Sequence, residues 1–298
     1  HVRSRRQRQM CIRDRFITYF GSMIMANDMA LITFLPLGYF VLSRTEKKEY
    51  MAFVFIMQNV AANLGGMLTP FGNPQNLYLY SRYSIPNAEF LKIMFPPFAV
   101  ALVLIVACCM FVKKEPAEIK DDVFYTPDKP KTIIYLVLFA LSVCSVLRVF
   151  PFYIGIGIAA LGVLIFDRKA FLTVNYPLLL TFCAFFVFSG NMSRIDAVHR
   201  LIGGLLEKNT LLVSVASCQI ISNVPTATLL CRFTENYAPL LVGVNIGGLG
   251  TPIASLASLI TLGKFRSTGE KTGKYLLGFL LINFSFLIVL VLFEMLVL

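Results

Sequence analysis

Four polar interruptions inside apolar segments, arranged as two matching pairs, constrain this chain more than any other feature. The first pair falls at residues 26–28 (AND) and 69–76 (TPFGNPQN), and the second at 222–226 (SNVPT) and 250–252 (GTP). In each pair a Gly-Gly dipeptide shortly precedes the second interruption. Irregular backbone at membrane depth survives only where it packs within protein or lines a water-filled cavity, because lipid offers no hydrogen-bond partners. The interruptions therefore predict one interior pocket built from both halves of the chain.

The composition places these interruptions in a membrane. Of the 298 residues, 57% are hydrophobic and only 14% are charged, whereas a soluble domain carries roughly 25% charged residues. Apolar runs of about 20 residues, long enough to span a bilayer, recur along the chain. We therefore predict an all-α, multi-pass protein of the cell (inner) membrane, with the lipid bilayer as a partner and no nucleic acid.

Residues 1–15 differ from the rest of the chain. They hold six Arg and no apolar run, so they are not a signal peptide. They resemble translated sequencing-adapter tails, and we exclude them as a non-native or disordered prefix; the alternative is a basic arm that binds anionic lipid. The remainder divides into a first, partial repeat (16–112), a cytoplasmic linker (113–131) and a second repeat (132–298). Because 131–209 has no counterpart in the first half, we expect the native protein to begin some tens of residues earlier.

Charge in the loops predicts the path of the interrupted segments. The basic loops 44–48 and 264–274 should both be cytoplasmic under the positive-inside rule. This placement needs an even number of crossings between them, which is obtained when 211–230 enters and returns as a re-entrant hairpin. The hairpin around Asn27 then opens inward and the one around Asn223 outward, as an inverted repeat requires. Each repeat would combine one hairpin with one broken transmembrane helix.

The interruptions supply the groups for a binding site. Half-helix starts expose N–H groups with positive dipole character and half-helix ends expose C=O groups, which suit an anion and a cation respectively. The predicted substrate- and ion-binding residues are Asn27, Asp28, Thr69, Gly72, Asn73, Gln75, Asn76, Ser222, Asn223, Thr226, Gly250, Thr251 and Ser255. The candidates for a Na⁺ site among them are Asn27, Asp28, Gly72, Asn223 and Gly250.

Asp28 is the acidic residue in the middle of an apolar segment, which makes it a functional hypothesis by default. It would coordinate Na⁺ or carry a proton; the alternative is an N-cap for the helix that follows. For the interruptions as a set, the alternative is packing kinks without substrate contact. Because these segments carry no Lys or Arg at membrane depth, helix dipoles and amides would hold an anion.

The cysteines and histidines give no sign of an enzyme. Six of the seven Cys lie outside the prefix, scattered through apolar segments without metal or redox spacing. A His-Glu-x-x-His zinc motif is absent from the sequence. We therefore predict no enzymatic activity and no cofactor, with Na⁺ or H⁺ acting as a coupling ion.

The four interrupted segments also carry a family resemblance. The stretches ANDMALITFLP, TPFGNPQN, SNVPTATLL and GGLGTPIASLAS resemble the ion-transporter superfamily of divalent-anion:sodium symporters, arsenite permeases and citrate transporters. The resemblance covers essentially all of 16–298. It implies two inverted repeats whose hairpin tips and broken helices meet at the substrate and Na⁺ sites, and it makes a homodimer possible because family members often dimerise.

The hairpin tips depart from one branch of that superfamily. Dicarboxylate symporters carry Ser-Asn-Thr at both tips, whereas Ser222-Asn223 is followed here by Val224. The first tip keeps only Asn27 of that triplet, and its Asn-Asp pair looks more like the arsenite-permease branch.

These features predict a secondary active transporter, because matching pairs of interrupted segments point to a transporter's binding site. The substrate would be a small anion, such as a di- or tricarboxylate or an inorganic oxyanion, moved with Na⁺ or H⁺ by alternating access around the two tips. The alternative is a Na⁺/H⁺ antiporter or an arsenite efflux carrier with Asp28 as the exchange site. A channel fits paired hairpins less well.

Overall fold

The computed structural model describes residues 16–44, 48–110 and 129–297, and in these ranges all regular structure is helical. The prefix 1–15 and most of the predicted linker lie outside the described residues. Four helical segments in the described part are long and apolar enough to cross a membrane: Met51–Leu68, Asn87–Met110, Asp196–Ile221 and Thr272–Val297. The predicted all-α polytopic class is confirmed, while the inverted-repeat arrangement stays a prediction.

The first half contains five helices in the described residues. They are α1 (16–24), α2 (Asn27–Arg44), α3 (Met51–Gly65), α4 (Pro74–Arg82) and α5 (Asn87–Met110), with 3-10 turns at Lys48–Tyr50 and Gly66–Leu68. The interruptions lie between α1 and α2 and between α3 and α4. Between α3 and α4 the backbone is extended at Thr69 and again at Asn73. Pro74 then starts α4, where its fixed φ suits the first helical position and its missing N–H is no loss.

The second half repeats this arrangement after three apolar helices. Its elements are α6 (Lys129–Val146), α7 (Phe152–Phe166), α8 (Tyr176–Met192), α9 (Asp196–Ile221), α10 (Asn223–Leu230), α11 (Tyr237–Ile246), α12 (Leu256–Arg266) and α13 (Thr272–Val297), with 3-10 turns at Arg168–Thr173 and Pro252–Ala254. Ser255 begins α12 by accepting a hydrogen bond from the backbone N–H of Ala257 at 3.2 Å.

The long helix α9 consists of two segments. Asn209 has non-helical backbone angles (φ −164°, ψ 95°), and its side-chain oxygen accepts a hydrogen bond from the backbone N–H of Leu212 at 2.8 Å. This cap separates the charged, amphipathic segment before Asn209 from the apolar segment after it. The second segment ends at Ser222, whose φ of 72° lies in the left-handed region that is costly for a non-glycine residue. Helix α10 begins at the next residue.

The described helices group into two compact units. One contains the described residues of 1–120 and 188–298, and therefore all four interruptions. Its apolar core interleaves α2 and α3 with α12 and α13 of the other half, and includes a stacked pair of rings, Phe265 and Tyr275, with centroids 4.1 Å apart. The predicted domain boundaries are not tested by this grouping and stay predictions.

The other unit comprises residues 121–187 and is built on α6 and α7, which pack against each other. Leu138 of α6 lies against the backbone of Gly162 in α7. The hydroxyl of Tyr135 donates a hydrogen bond to the carboxylate of Asp167 at 2.8 Å. Most apolar side chains of this unit are exposed, as expected for helices that face lipid.

Candidate functional site

The two hairpins consist of α1 with α2 and of the second part of α9 with α10, and the two broken helices consist of α3 with α4 and of α11 with α12. The tip of the first hairpin is bonded to the first broken helix. The backbone N–H of Asn27, the first residue of α2, donates to the carbonyl oxygen of Gly72 at 3.1 Å. A Cβ at Gly72 would lie 2.2 Å from the carbonyl oxygen of Gly66. Glycine is therefore required here for the backbone segments to approach each other.

The second tip makes a corresponding contact. The hydroxyl of Ser222 donates to the carbonyl oxygen of Ala254 at 3.4 Å. Ala254 follows Thr251 by three residues, as Gly72 follows Thr69. Each hairpin tip is thus bonded to a carbonyl at the same place in the broken helix of its own half.

A second matched pair of contacts links each broken helix to a hairpin arm. Thr69 donates through its hydroxyl to the carbonyl oxygen of Met23 at 2.7 Å. Thr251 donates in the same way to the carbonyl oxygen of Gln219 at 3.2 Å. Met23 and Gln219 each lie four residues before the tip asparagine of their hairpin. These matched contacts support the predicted internal repeat.

The two tip asparagines have the same local geometry. The side-chain oxygens of Asn27 and Asn223 each accept a hydrogen bond from the next backbone N–H at 2.9 Å, so the amide nitrogens are left to face neighbours. The nitrogen of Asn27 lies 3.5 Å from the side-chain oxygen of Asn63. The nitrogen of Asn223 lies 3.1 Å from the position that a Cβ of Gly248 would occupy, and the Asn63 oxygen lies 3.5 Å from that position. The two tips therefore approach a common centre.

The second interruption is held by Gln219, which the sequence analysis did not select. Its amide nitrogen donates to the carbonyl oxygens of Gly247 and Leu249, both at 2.9 Å, and its oxygen accepts from the N–H of Thr251 at 2.9 Å. Gly250, between Leu249 and Thr251, has φ +103°. A Cβ at Gly250 would lie 2.3 Å from the side-chain oxygen of Gln219. The side chain of Gln219 thus satisfies backbone groups that the helix break leaves free.

Asn245 in α11 connects the second broken helix to the first. Its side-chain oxygen accepts from the amide nitrogens of Asn73 at 3.0 Å and Gln75 at 3.3 Å. Its own nitrogen donates to the side-chain oxygen of Asn76 at 2.6 Å and to the carbonyl of Leu241. Three predicted site residues, Asn73, Gln75 and Asn76, are therefore bonded to Asn245, which was not predicted from the sequence.

Asn63 in α3 was missed as well. Its side-chain oxygen accepts from the hydroxyl of Ser255 at 2.8 Å, besides its 3.5 Å contact with Asn27. Its nitrogen donates to the backbone and side-chain oxygens of Asn59. The signal that could have found both missed asparagines is their shared position, two residues before each Gly-Gly pair.

Two acceptor oxygens beside Asn245 have no hydrogen-bond partner among the described residues. They are the side-chain oxygens of Asn73 and Gln75, and both residues are about 1% exposed. The Asn73 oxygen lies 2.3 Å from where a Cβ of Gly66 would be, so glycine makes room for it. Buried acceptors of this kind are rare because each costs free energy unless a ligand or water satisfies it.

Asp28 does not act as the helix cap that was considered for it. Helix α2 begins at Asn27, one residue before Asp28. The backbone N–H of Asp28 donates to the Asn27 side chain, whereas one carboxylate oxygen of Asp28 is buried and has no partner in the described part of the chain. The carboxylate thus remains available for a cation or a proton.

Thr226 is placed differently from the other predicted residues. It is fully buried, and its hydroxyl donates to the carbonyl oxygen of Ser222 at 2.7 Å, one turn earlier. It lies on α10, which packs against α4 of the first broken helix. Thr226 therefore stabilises the hairpin tip, and its part in ligand binding stays a prediction.

Taken together, these elements define a class: an all-α, multi-pass membrane protein in which two interrupted helices bring amides and carbonyls into its interior. The family model described as "Citrate transporter" matches residues 2–243. The chain therefore belongs to the citrate transporter family, and it is a membrane transporter. The match includes residues 2–15, so the exclusion of the prefix from the fold stays a prediction.

Three relatives agree with this class. An uncharacterized transporter of Methanocaldococcus jannaschii is 36% identical over 279 residues, which cover 93% of this chain and 76% of the relative. An inner membrane protein of Escherichia coli is 31% identical over 247 residues, covering 81% of this chain and 65% of the relative. An uncharacterized transporter of Mycobacterium tuberculosis is 25% identical over 297 residues, covering 85% of this chain and 68% of the relative. This chain thus spans two thirds to three quarters of their length.

Proposed function

We propose that the protein is an ion-coupled permease for a small anion, in the inner membrane. The observation that carries this proposal is the convergence of both interrupted helices on Asn63 and Asn245, beside buried oxygens that lack a donor. In a secondary transporter, half-helix starts hold an anionic group while unwound carbonyls hold the coupling cation. The helix starts at Asn27 and Asn223 and the buried oxygens of Asn73 and Gln75 would supply these two kinds of group here.

The anion would bind at the helix starts. Helices α2 and α10 begin at Asn27 and Asn223, and the start of each helix carries partial positive charge. None of the residues that form the described site is Lys or Arg, so recognition would depend on N–H groups and amides. This favours a carboxylate or oxyanion that is only partly stripped of water. Citrate and other di- or tricarboxylates are the first candidates, since the family model is named for citrate.

The cation would bind where oxygens lack donors. The side-chain oxygens of Asn73 and Gln75 and one carboxylate oxygen of Asp28 are buried without partners in the described residues. Oxygen atoms of this kind are the ligands of hard cations such as Na⁺. A carboxylate also accepts a proton, so Asp28 fits H⁺ coupling equally well.

A second candidate function, a Na⁺/H⁺ antiporter or an arsenite efflux carrier, is favoured by the unpartnered carboxylate of Asp28 alone. In the antiporter Asp28 would exchange Na⁺ for H⁺ and no anion site would be needed at α2 and α10, whereas an efflux carrier would still need a site for arsenite. The antiporter differs from the proposed permease because no anion moves with the ion, and the efflux carrier differs because its substrate is arsenite.

Transport by the purified full chain in liposomes tests the proposal. Uptake of labelled citrate, succinate, sulfate and arsenite would be measured with an inward Na⁺ gradient, an inward H⁺ gradient and neither. We expect uptake of citrate, succinate or sulfate only when an ion gradient is present, and transport of arsenite alone would identify the arsenite carrier. Ion exchange without anion uptake would instead identify the antiporter. Uptake unaffected by both gradients would refute ion coupling.

A further inference from the structure

The two broken helices align position by position around their interruptions, with five of eight residues identical. The first reads NLGGMLTP from Asn63, and the second reads NIGGLGTP from Asn245. Ten residues further along each segment lie Asn73 in the first half and Ser255 in the second. Asn63 therefore corresponds to Asn245, and Asn73 corresponds to Ser255.

Hydrogen bonds cross between these corresponding positions. Ser255 of the second half donates to the side-chain oxygen of Asn63 in the first half at 2.8 Å. Asn73 of the first half donates to the side-chain oxygen of Asn245 in the second half at 3.0 Å. Each helix-end asparagine thus accepts a hydrogen bond from the matched residue of the other half. The two bonds are the same contact made twice, once in each direction.

We propose that Asn63 and Asn245 are positioning residues, which fasten the two interruptions to each other through these two crossed hydrogen bonds. We call the set Asn63, Asn73, Asn245 and Ser255 the crossed clamp. With both bonds in place, the two interruptions bind ligands and move as a single body. The effect on ligand binding rests on the proposed function, whereas the fastening itself does not.

Because the crossed clamp is buried, water cannot replace a hydrogen-bond partner that one of its residues loses. All four residues are at most 2% exposed. A buried amide or hydroxyl that loses its partner has no water to replace it and carries the full desolvation cost. Separating the two interruptions would break both bonds at once, so the joined arrangement is favoured throughout the part of the cycle in which this interior stays dry.

Asn245 also sets the direction of the groups that would bind the cation. The side-chain oxygen of Asn245 accepts hydrogen bonds from the amide nitrogens of Asn73 and Gln75. The oxygens of those two amides therefore point away from Asn245. These are the buried oxygens that have no partner in the described residues. Asn245 therefore acts on the ligand through Asn73 and Gln75, without touching it.

The Asn63 side of the crossed clamp has additional polar contacts through the side chain of Asn59, which the Asn245 side lacks because its corresponding residue is apolar. The amide nitrogen of Asn59, one turn before Asn63, donates to the hydroxyl of Ser258 at 3.3 Å and to the side-chain oxygen of Asn283 at 3.5 Å. The residue of the second half that corresponds to Asn59 is Leu241, which is apolar. Polar contacts thus tie the Asn63 side to α12 and α13, whereas the apolar side chain of Leu241 cannot make an equivalent tie on the Asn245 side.

A double-mutant cycle tests the fastening without any substrate. Melting temperatures of the purified, ligand-free protein would be measured for Asn73→Ala, Asn245→Ala and the double variant. Single hydrogen bonds in membrane proteins contribute little, so we expect the double variant to melt about 2 °C higher than the sum of the single effects predicts. The control cycle replaces Asn245→Ala by Val244→Ala, the buried neighbour in the same helix, and should be additive. Additivity in the test cycle would overturn the proposal.

The hydrogen bond between Ser255 and Asn63 allows the same test with a smaller change in side-chain structure. Ser255→Ala removes one oxygen atom, and its cycle with Asn63→Ala should show coupling of the same sign. This pair decides the question if Asn245→Ala does not fold. Absence of coupling here, in folded variants, would likewise refute the crossed clamp.

The positioning effect has its own readout. In liposomes that take up labelled citrate with Na⁺, Asn245→Ala should raise the Na⁺ concentration for half-maximal uptake about five- to tenfold and change the maximal rate far less. Val244→Ala should keep the original value. An unchanged Na⁺ dependence in Asn245→Ala would refute positioning. If the unmodified protein takes up no citrate, the proposed function fails for that anion while the melting cycles still decide the fastening.

Discussion

The backbone N–H of Asn27 is bonded to the carbonyl oxygen of Gly72 at 3.1 Å, so the tip of the first hairpin and the break in the first broken helix form one structural unit. Replacing Gly72 by Ala tests this unit. The new Cβ would lie 2.2 Å from a backbone oxygen of Gly66 and 2.8 Å from the hydroxyl of Thr69, and backbone cannot yield as a flexible side chain can. We expect Gly72→Ala to destabilise the protein by about 2 kcal/mol or more, measured by thermal unfolding.

A glycine in open surroundings provides the control for that substitution. A Cβ added at Gly263, inside α12, would meet no heavy atom within 4 Å apart from the backbone of its own helix. Gly263→Ala should leave stability unchanged or raise it by about 0.5–1 kcal/mol, because alanine favours the helix. Equal melting temperatures for the two variants would contradict the close approach at Gly72.

Gln219 supports the second interruption as the Asn27 tip supports the first. Gln219→Ala removes two donors and one acceptor that satisfy the backbone around Gly250. With an average of about 0.6 kcal/mol for a hydrogen bond in a membrane protein, the three bonds amount to about 2 kcal/mol. We expect a corresponding fall in melting temperature. Ile220→Ala, at a neighbouring exposed position, should change it far less, and a similar loss in both variants would count against the role of Gln219.

The interruptions were predictable from sequence because Gly, Pro, Asn and Ser mark them inside apolar runs. The break at Ser222 and the start of α4 at Pro74 follow this rule, and the boundary at Asn209 lies where a charged, amphipathic stretch gives way to an apolar one. The local signals are therefore sufficient to predict where helices end, and the class of fold follows from apolar length and composition.

The central amides could not be found in the same way. Asn63 and Asn245 lie inside apolar helices, and their partners Ser255 and Asn73 are more than 170 residues away in sequence. Their role depends on how the two halves pack, which local composition does not specify. Gln219 was missed for the same reason, because its partners Gly247, Leu249 and Thr251 lie 28 to 32 residues away, in the break between α11 and α12. Comparing the two broken helices position by position would have exposed the asparagines.

Asp28 offers a prediction that separates coupling from stability. Its carboxylate has a buried oxygen without a partner in the described residues, so Asp28→Asn removes a potential charge without breaking a bond seen in the structure. We expect unchanged or slightly higher thermal stability and loss of the dependence of uptake on the ion gradient. Uptake into liposomes and melting temperature would be measured on the same preparation.

An exposed carboxylate serves as the control for Asp28. Asp196, at the start of α9, is exposed, and Asp196→Asn should leave coupling intact. Normal ion-dependent uptake by Asp28→Asn would remove Asp28 from the proposed ion site and leave the cation to Asn73 and Gln75.

The polar contact between α3 and α13 gives a prediction about the edge of the site. Asn283 donates to the carbonyl oxygen of Phe279 at 2.9 Å, and its oxygen lies 3.5 Å from the amide nitrogen of Asn59. Asn283→Leu keeps the volume and removes the long contact, while Asn59 retains Ser258 as an acceptor at 3.3 Å. We therefore expect a loss of at most about 1 kcal/mol and ion-dependent uptake close to normal.

The control for Asn283 is Ser285, whose side chain forms its hydrogen bond within α13 itself. Ser285 is exposed and donates only to the carbonyl oxygen of Leu281 at 2.7 Å, so Ser285→Ala should have almost no effect on melting temperature or uptake. If Asn283→Leu abolished uptake while the protein stayed folded, the working site would extend from Asn63 through Asn59 to α13. The centre of the proposed mechanism would then shift from the crossed clamp toward the last helix.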